Sequence, residues 1–219
     1  MAQKPKQTTE AVQLSHTTTT FFLDLINLLG IFAFAISGAM RGVRSQMDIF
    51  GIVVLGVVTA VSGGILRDLL IGATPPEAIA NWHIMALAVL VGVGVFFFHH
   101  LFDHLRHPVL LFDAAGLGVF AATGAQKALT FGLSPVMAAV LGMISGIGGG
   151  MVRDILTAQI PVVLRAEIYA SAALLGAAIT LVGDFLHLPS IESTLAGASL
   201  TFILRMMALY RHWSLPRPR

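Results

Sequence analysis

The sequence predicts an all-α membrane protein of seven transmembrane helices, arranged as two inverted three-helix repeats plus a seventh helix. Three observations carry that prediction. Hydrophobic residues make up 56% of the 219-residue chain and charged residues only 11%, less than half the roughly 25% typical of soluble domains; the mean hydropathy is +0.86. Apolar stretches long enough to cross a bilayer as a helix, about 17–25 residues, recur along the chain. Finally, Ser62-Gly63-Gly64-Ile65-Leu66-Arg67-Asp68 returns as Gly148-Gly149-Gly150-Met151-Val152-Arg153-Asp154. The offset of 86 residues (67 to 153) holds without a gap from Ser37/Thr123 to Pro75/Pro161.

Residues 1–20 are polar and threonine-rich, which reads as a flexible tail rather than a cleaved signal peptide. Spans follow at about 21–41, 47–72 and 80–98, making a first repeat over 21–100. Spans at about 108–127, 134–158 and 166–185 make a second over 108–185. A seventh span at 193–210 precedes a basic tail at 211–219. Under the offset Phe34-Ala35 meets Phe120-Ala121, Gly38-Ala39 meets Gly124-Ala125, and Asn27 falls opposite Asp113. Because each repeat holds an odd number of spans, the second enters from the opposite side of the membrane, an arrangement recurrent in transport proteins. Outside the motifs the N-terminal side holds Lys4, Lys6 and Lys127. The C-terminal side holds Arg41, Arg44, Arg106, Arg165, Arg205, Arg211, Arg217 and Arg219. This bias places the N-terminus outside and the C-terminus in the cytoplasm for a multi-pass membrane protein.

The motifs concentrate what apolar sequence tolerates least. Residues 47–72 would make roughly 39 Å of helix at 1.5 Å per residue, against a hydrocarbon core of about 30 Å. Ser62, Gly63 and Gly64 are where that helix is expected to kink, as Gly148, Gly149 and Gly150 are in the fifth span. A break there would free backbone carbonyls and amides, allowed at membrane depth only in protein or a water-filled cavity. Packing surfaces between helices are the other use of such glycines. A charge at the bilayer centre costs at least ~2.5–3.5 kcal/mol, so Arg67, Asp68, Arg153 and Asp154 are expected to face the bundle interior. Neighbours on a helix do not face each other. Each arginine is therefore expected to pair elsewhere: across the pseudo-two-fold, or with Asp24 or Asp113. These charges either line an ion path or lock the helices together.

Ser37 and Thr123 are symmetry mates, as are Thr59 and Ser145, so these four are candidate pore-lining hydroxyls, though such groups commonly bond to their own backbone. His99, His100, His104 and His107 with Asp103 read as a solvated loop rather than a metal site. The chain has no cysteine, and no catalytic constellation stands out, so neither a metal, a cofactor nor an enzyme activity is expected. A phosphate loop at Gly146–Gly150 lacks its lysine and its strand. The pI near 9.4 comes from basic residues at span ends rather than one stripe, so nucleic acid is not an expected partner.

Two three-span repeats carrying SGGILRD and GGGMVRD, with a seventh span, resemble the prokaryotic members of the trimeric intracellular cation (TRIC) channel family over nearly all of residues 21–210. Relatives also carry a glycine transporter label. The resemblance implies a homotrimer among the lipids of the bacterial inner membrane, with an ion pathway in each subunit surrounded by the kinked second and fifth helices. Monovalent cations, chiefly potassium, are the implied permeant ions. The alternative is a secondary transporter for a small zwitterion such as glycine, and a third reading is a scaffold without transport.

Overall fold

The computed structural model describes residues 5–102, 104–105, 107–165, 168–211 and 213, with side chains of the first helix from residue 18 onward. The chain runs α1 (Pro5–Arg44), α2 (Ile49–Leu70), α3 (Glu77–Ala80), α4 (Trp82–Phe98) with a 3-10 turn (His99–Phe102), α5 (Pro108–Thr130), α6 (Pro135–Leu156), α7 (Val162–Arg165), α8 (Ala170–Phe185) and α9 (Ser190–Arg211). Among the described residues six helices are long and apolar enough to cross a membrane; α8, with 16 residues, is shorter. At 1.5 Å per residue α8 spans roughly 24 Å, against a hydrocarbon core of about 30 Å.

The polar segment before residue 21 is not an irregular tail where it is described: α1 is already helical from Pro5. The second and fifth spans are shorter than their hydropathy suggested, at 22 residues each. Local chemistry trims them. The Asp48 side chain caps α2 by accepting from the Gly51 N–H at 2.8 Å, and Ser134 precedes a proline at the start of α6. Beyond α2, Gly72 adopts φ +73°, and its mate Ala158 adopts φ 53°. The closing bonds repeat too: Ala73 N–H donates to the Asp68 carbonyl at 2.8 Å and Gln159 N–H to the Asp154 carbonyl at 2.9 Å. At about 33 Å each, α2 and α6 fit the bilayer without the surplus that would have forced a bend.

Helices α1, α2, α5 and α6 form the centre, with α4 against α1 and α2, and α8 and α9 against α5. Buried positions are dominated by small residues such as Ala35, Ala39, Ala60, Ala121, Ala122 and Ala125. Large apolar residues including Phe50, Leu90, Phe97, Val136 and Phe185 point outward. This inside-out distribution suits a lipid environment, where close backbone approach rather than water exclusion holds helices together.

The centre is built from reciprocal contacts. A Cβ on Gly63 would lie 2.0 Å from the Ser145 carbonyl, and one on Gly149 would lie 2.3 Å from the Thr59 carbonyl; these are the same contact with the two repeats exchanged. Gly56 against the Ala35 carbonyl (3.2 Å) has its mate in Gly142 against the Ala121 carbonyl (2.4 Å). Gly30 abuts Phe120 and Gly116 abuts Phe34, whose rings meet with centroids 5.3 Å apart. Helix α9 has no counterpart; it seats on α8 where Gly176 and Gly197 face each other, and on α5 at Gly118.

Candidate functional site

Both glycine clusters lie inside uninterrupted α-helix: α2 runs unbroken from Ile49 to Leu70 and α6 from Pro135 to Leu156. The expected break, with freed carbonyls, is therefore not present. The glycines instead let α2 and α6 cross almost backbone to backbone, at distances no side chain would permit.

Beyond the crossing each motif ends in a buried charge site. In the first, Arg67 Nε donates to Asp68 Oδ1 at 2.9 Å, with Nη2 2.8 Å from the same oxygen. Asp68 Oδ2 accepts the Glu77 N–H at 2.9 Å, tying α3 to α2. Lys127 of α5 closes the site, its Nζ 3.0 Å from Asp68 Oδ1 and 2.9 Å from Glu77 Oε2. In the second, Arg153 Nε donates to Asp154 Oδ1 at 2.9 Å, and Asp154 Oδ2 accepts the Val162 N–H at 2.9 Å, tying α7 to α6. Arg41 of α1, the mate of Lys127, lies 3.8 Å from Asp154. Each arginine thus reaches its own neighbour, contrary to expectation. The stem is long enough to cover the roughly 100° between adjacent helix positions, and the aspartate turns its second oxygen to the next short helix.

The sites differ where the aligned residues differ. Arg153 Nη1 also donates to Asp113 Oδ1 and to Ser37 Oγ, both at 2.6 Å, and Ser37 Oγ donates to the Val109 carbonyl at 2.9 Å. The Arg153 and Asp113 side chains have no exposed surface. Tyr169 sits beside them: a Cβ on Gly150 would lie 2.6 Å from its hydroxyl and 3.0 Å from Asp113 Oδ1. Arg205 of α9 stacks over the Tyr169 ring at 5.0 Å. In the first repeat Asn27 stands in place of Asp113, and no bond from Arg67 reaches it. A cavity of about 170 Å³ opens there, lined by Asp24, Asn27, Arg67, Glu77, Thr123, Gln126 and Lys127 among others. A smaller one of about 20 Å³ shares Asn27, Arg67 and Glu77 and continues inward to Ile31, Ala60, Gly64 and Phe120. Since Asp113 and Lys127 lie 14 positions apart on α5, the two sites are separated by about 21 Å along that helix.

Of the expected partners, Asp113 engages an arginine and Asp24 does not; Asp24 lines the open cavity. Among the candidate hydroxyls, Thr59 donates to the Leu55 carbonyl at 2.6 Å, Thr123 to Val119 at 2.9 Å, and Ser62 to Val58, each within its own helix. Ser37 reaches across instead, and Ser145 Oγ is buried with no partner among the described residues. Lys127, Arg41 and Arg205, which the sequence offered only as topology charges, are built into the sites, as are Glu77 and Tyr169. The aligned pair Arg41/Lys127 carried a usable signal, as did the lone arginine inside the seventh span. Among the described residues no three His, Cys, Asp or Glu side chains gather as a metal site; Asp103 lies outside them.

The family model described as "Glycine transporter" matches the chain in two segments, residues 24–100 and 110–184, which coincide with the two repeats. A UPF0126 membrane protein of Deinococcus radiodurans is 40% identical over 194 residues, covering 87% of this chain and 89% of that one. The inner membrane protein YadS of Escherichia coli K12 is 33% identical over 198 residues, covering 90% and 94%. Among solved structures, the TRIC trimeric intracellular cation channel orthologue from Rhodobacter sphaeroides superimposes with a TM-score of 0.83 at 38% identity, covering 87% of this chain and 98% of that one. A second structure, from work on conductance through TRIC cation channels, gives 0.80 at 37% identity, covering 90% and 97%.

Proposed function

This chain belongs to the prokaryotic TRIC channel family, and from that premise we propose that it is a channel for monovalent cations, chiefly potassium. It works as a homotrimer in the inner membrane, with a path inside each subunit. The observation that carries this reading is the polar cavity that enters beside Arg67 and narrows toward Phe120 between the two repeats. The reciprocal contacts of α2 with α6 support an inverted repeat, because only a pseudo-two-fold axis exchanges Gly63–Ser145 with Gly149–Thr59. That axis lies in the membrane plane, and the path crosses it. Ions enter past Asn27 and meet the paired rings of Phe34 and Phe120. They leave only when Arg153 releases Asp113 and Ser37.

Arg67 and Arg153 are poor barriers to cations while paired, because a neutralised charge in a low-dielectric interior presents little net field along the path. Excess arginine at the second site and the basic C-terminus support a cytoplasmic C-terminal face. Reconstitution of the purified protein in planar bilayers tests the function. Discrete current steps carried by potassium support it; saturable glycine uptake without steps contradicts it and favours the carrier reading.

A further inference from the structure

We propose that an apolar groove on the lipid-facing side of the second repeat holds one phosphatidylethanolamine of the leaflet at the N-terminal end, its ammonium paired with the Asp184 carboxylate. The groove, of about 560 Å³, lies between α5, α6 and α8 and shares no lining residue with either charge site. Buried Ala139 and half-buried Ala178 form its base, while Val136, Leu174, Val182 and Phe185 stand exposed along its sides. From Leu174 to Phe185 it follows α8 for 11 positions, roughly 16 Å. That is the depth of one leaflet of a ~30 Å hydrocarbon core. High apolar walls over a narrow base suit a single acyl chain. A helix of a second copy, about 10 Å wide, would want a face of small residues instead.

Charge selects the headgroup. Asp184 is the one ionisable residue of the lining and sits one position inside the end of α8. Its carboxylate has no hydrogen-bonded or ion-paired partner among the described residues. A charge at the edge of hydrocarbon calls for a partner, and Lys127 at this end is already engaged by Asp68 and Glu77. A primary ammonium brings both the charge and three N–H donors. The quaternary ammonium of phosphatidylcholine has no donor and favours aromatic cages, whereas Phe185 is the sole aromatic residue of this groove. Phosphatidylglycerol would add a second negative charge. The phosphodiester beside the ammonium finds donors at the same rim. Helix α6 begins there at Pro135, and Ser134 makes no side-chain cap bond. The first-turn N–H groups have no intrahelical acceptor.

The site is independent of the channel reading, and lipid retention rather than current tests it. The purified full-length protein is placed in nanodiscs of equal phosphatidylethanolamine, phosphatidylcholine and phosphatidylglycerol. Native mass spectrometry then counts the lipids that stay bound on release. The wild type retains phosphatidylethanolamine over either other lipid by about threefold to fivefold, as one partly exposed ion pair supports. Asp184→Glu keeps that preference and Asp184→Asn abolishes it. Ala178→Phe, which fills the groove, lowers retention of all three lipids at an unchanged unfolding midpoint. If Ala178→Phe fails to fold, the exposed and isosteric Asp184→Asn decides alone. Equal retention of the three lipids, a preference for phosphatidylglycerol, or a preference that survives Asp184→Asn overturns the site. Loss of the oligomer in Ala178→Phe with lipid retention unchanged also overturns it, and gives the groove to a second copy.

Discussion

The Arg67 and Arg153 sites are copies of one motif, and the comparison between them is the most instructive feature of this molecule. Both pair an arginine with the next residue, both use that aspartate to hold a four-residue helix, and both receive a cation from the first helix of the other repeat. One is open and one is shut. The aligned difference is Asn27 against Asp113, joined at the second site by Tyr169 and by Arg205 from the unrepeated α9. A repeated scaffold thus carries unsymmetric chemistry: an open cavity with the unpaired Asp24 at one end and a closed ion-pair network at the other. Helix α9, which has no counterpart in the repeats, adds Arg205 at one end only.

The largest expected effect comes from removing the arginines. Arg153→Ala leaves Asp113 without its ion-pair partner and Asp154 with only Arg41 at 3.8 Å, both carboxylates at zero to 1% exposure, and should destabilise the protein by about 3–5 kcal/mol. Arg67→Ala leaves Lys127 on Asp68 and Glu77 beside a cavity that admits water, and should cost clearly less. Thermal or denaturant unfolding in matched detergent measures both; equal losses would erase the distinction between lock and mouth.

Next in size are the glycines of the α2–α6 crossing. Gly63→Ala and Gly149→Ala place a methyl 2.0 and 2.3 Å from facing carbonyls, so the helices must part, at roughly 1–3 kcal/mol. Gly94→Ala on α4 meets nothing within 4 Å and should be neutral or stabilising by up to about 1 kcal/mol. If all three melt alike, close crossing is not what these glycines provide.

The exchange of Asn27 and Asp113 sharpens the comparison most selectively. Asp113→Asn removes a carboxylate from Arg153 and should raise the open fraction severalfold in bilayer recordings. Asn27→Asp offers Arg67 a lock of its own and should lower it. Matching changes from both swaps would show that the aligned position does not set the asymmetry. Smallest are the flanking cations. Lys127→Gln loses two contacts at 3.0 and 2.9 Å and Arg41→Gln one at 3.8 Å. Both are partly exposed, so the losses should be near 1 kcal/mol and well below that, respectively, as unfolding in the same detergent would measure.

Much of this was legible in the sequence, because apolar length and a gapless offset report directly on helices and on repetition. Asp113 as one of several possible arginine partners followed from a charge placed in an apolar span; that it takes Arg153, and that Asp24 takes neither arginine, did not. The helix through Ser62–Gly64 did not follow, because intrinsic glycine propensity is overridden once Thr59 and Ser145 present carbonyls that only glycine can approach. Helices α3 and α7 were missed because four residues carry no periodicity. They are held by single bonds from Asp68 and Asp154 that exist only in the folded chain. The roles of Lys127 and Arg205 were hidden behind an equally valid use of the same charges in setting orientation.

Single-channel recording with graded potassium on the two sides tests the central claim most directly. The account predicts discrete potassium currents. It also predicts that Asp24→Asn reduces them at low potassium, severalfold more for ions entering at the N-terminal mouth than for ions entering at the other, with convergence at high potassium. Equal reduction in both directions, or no current in a wild type that takes up glycine saturably, would contradict it.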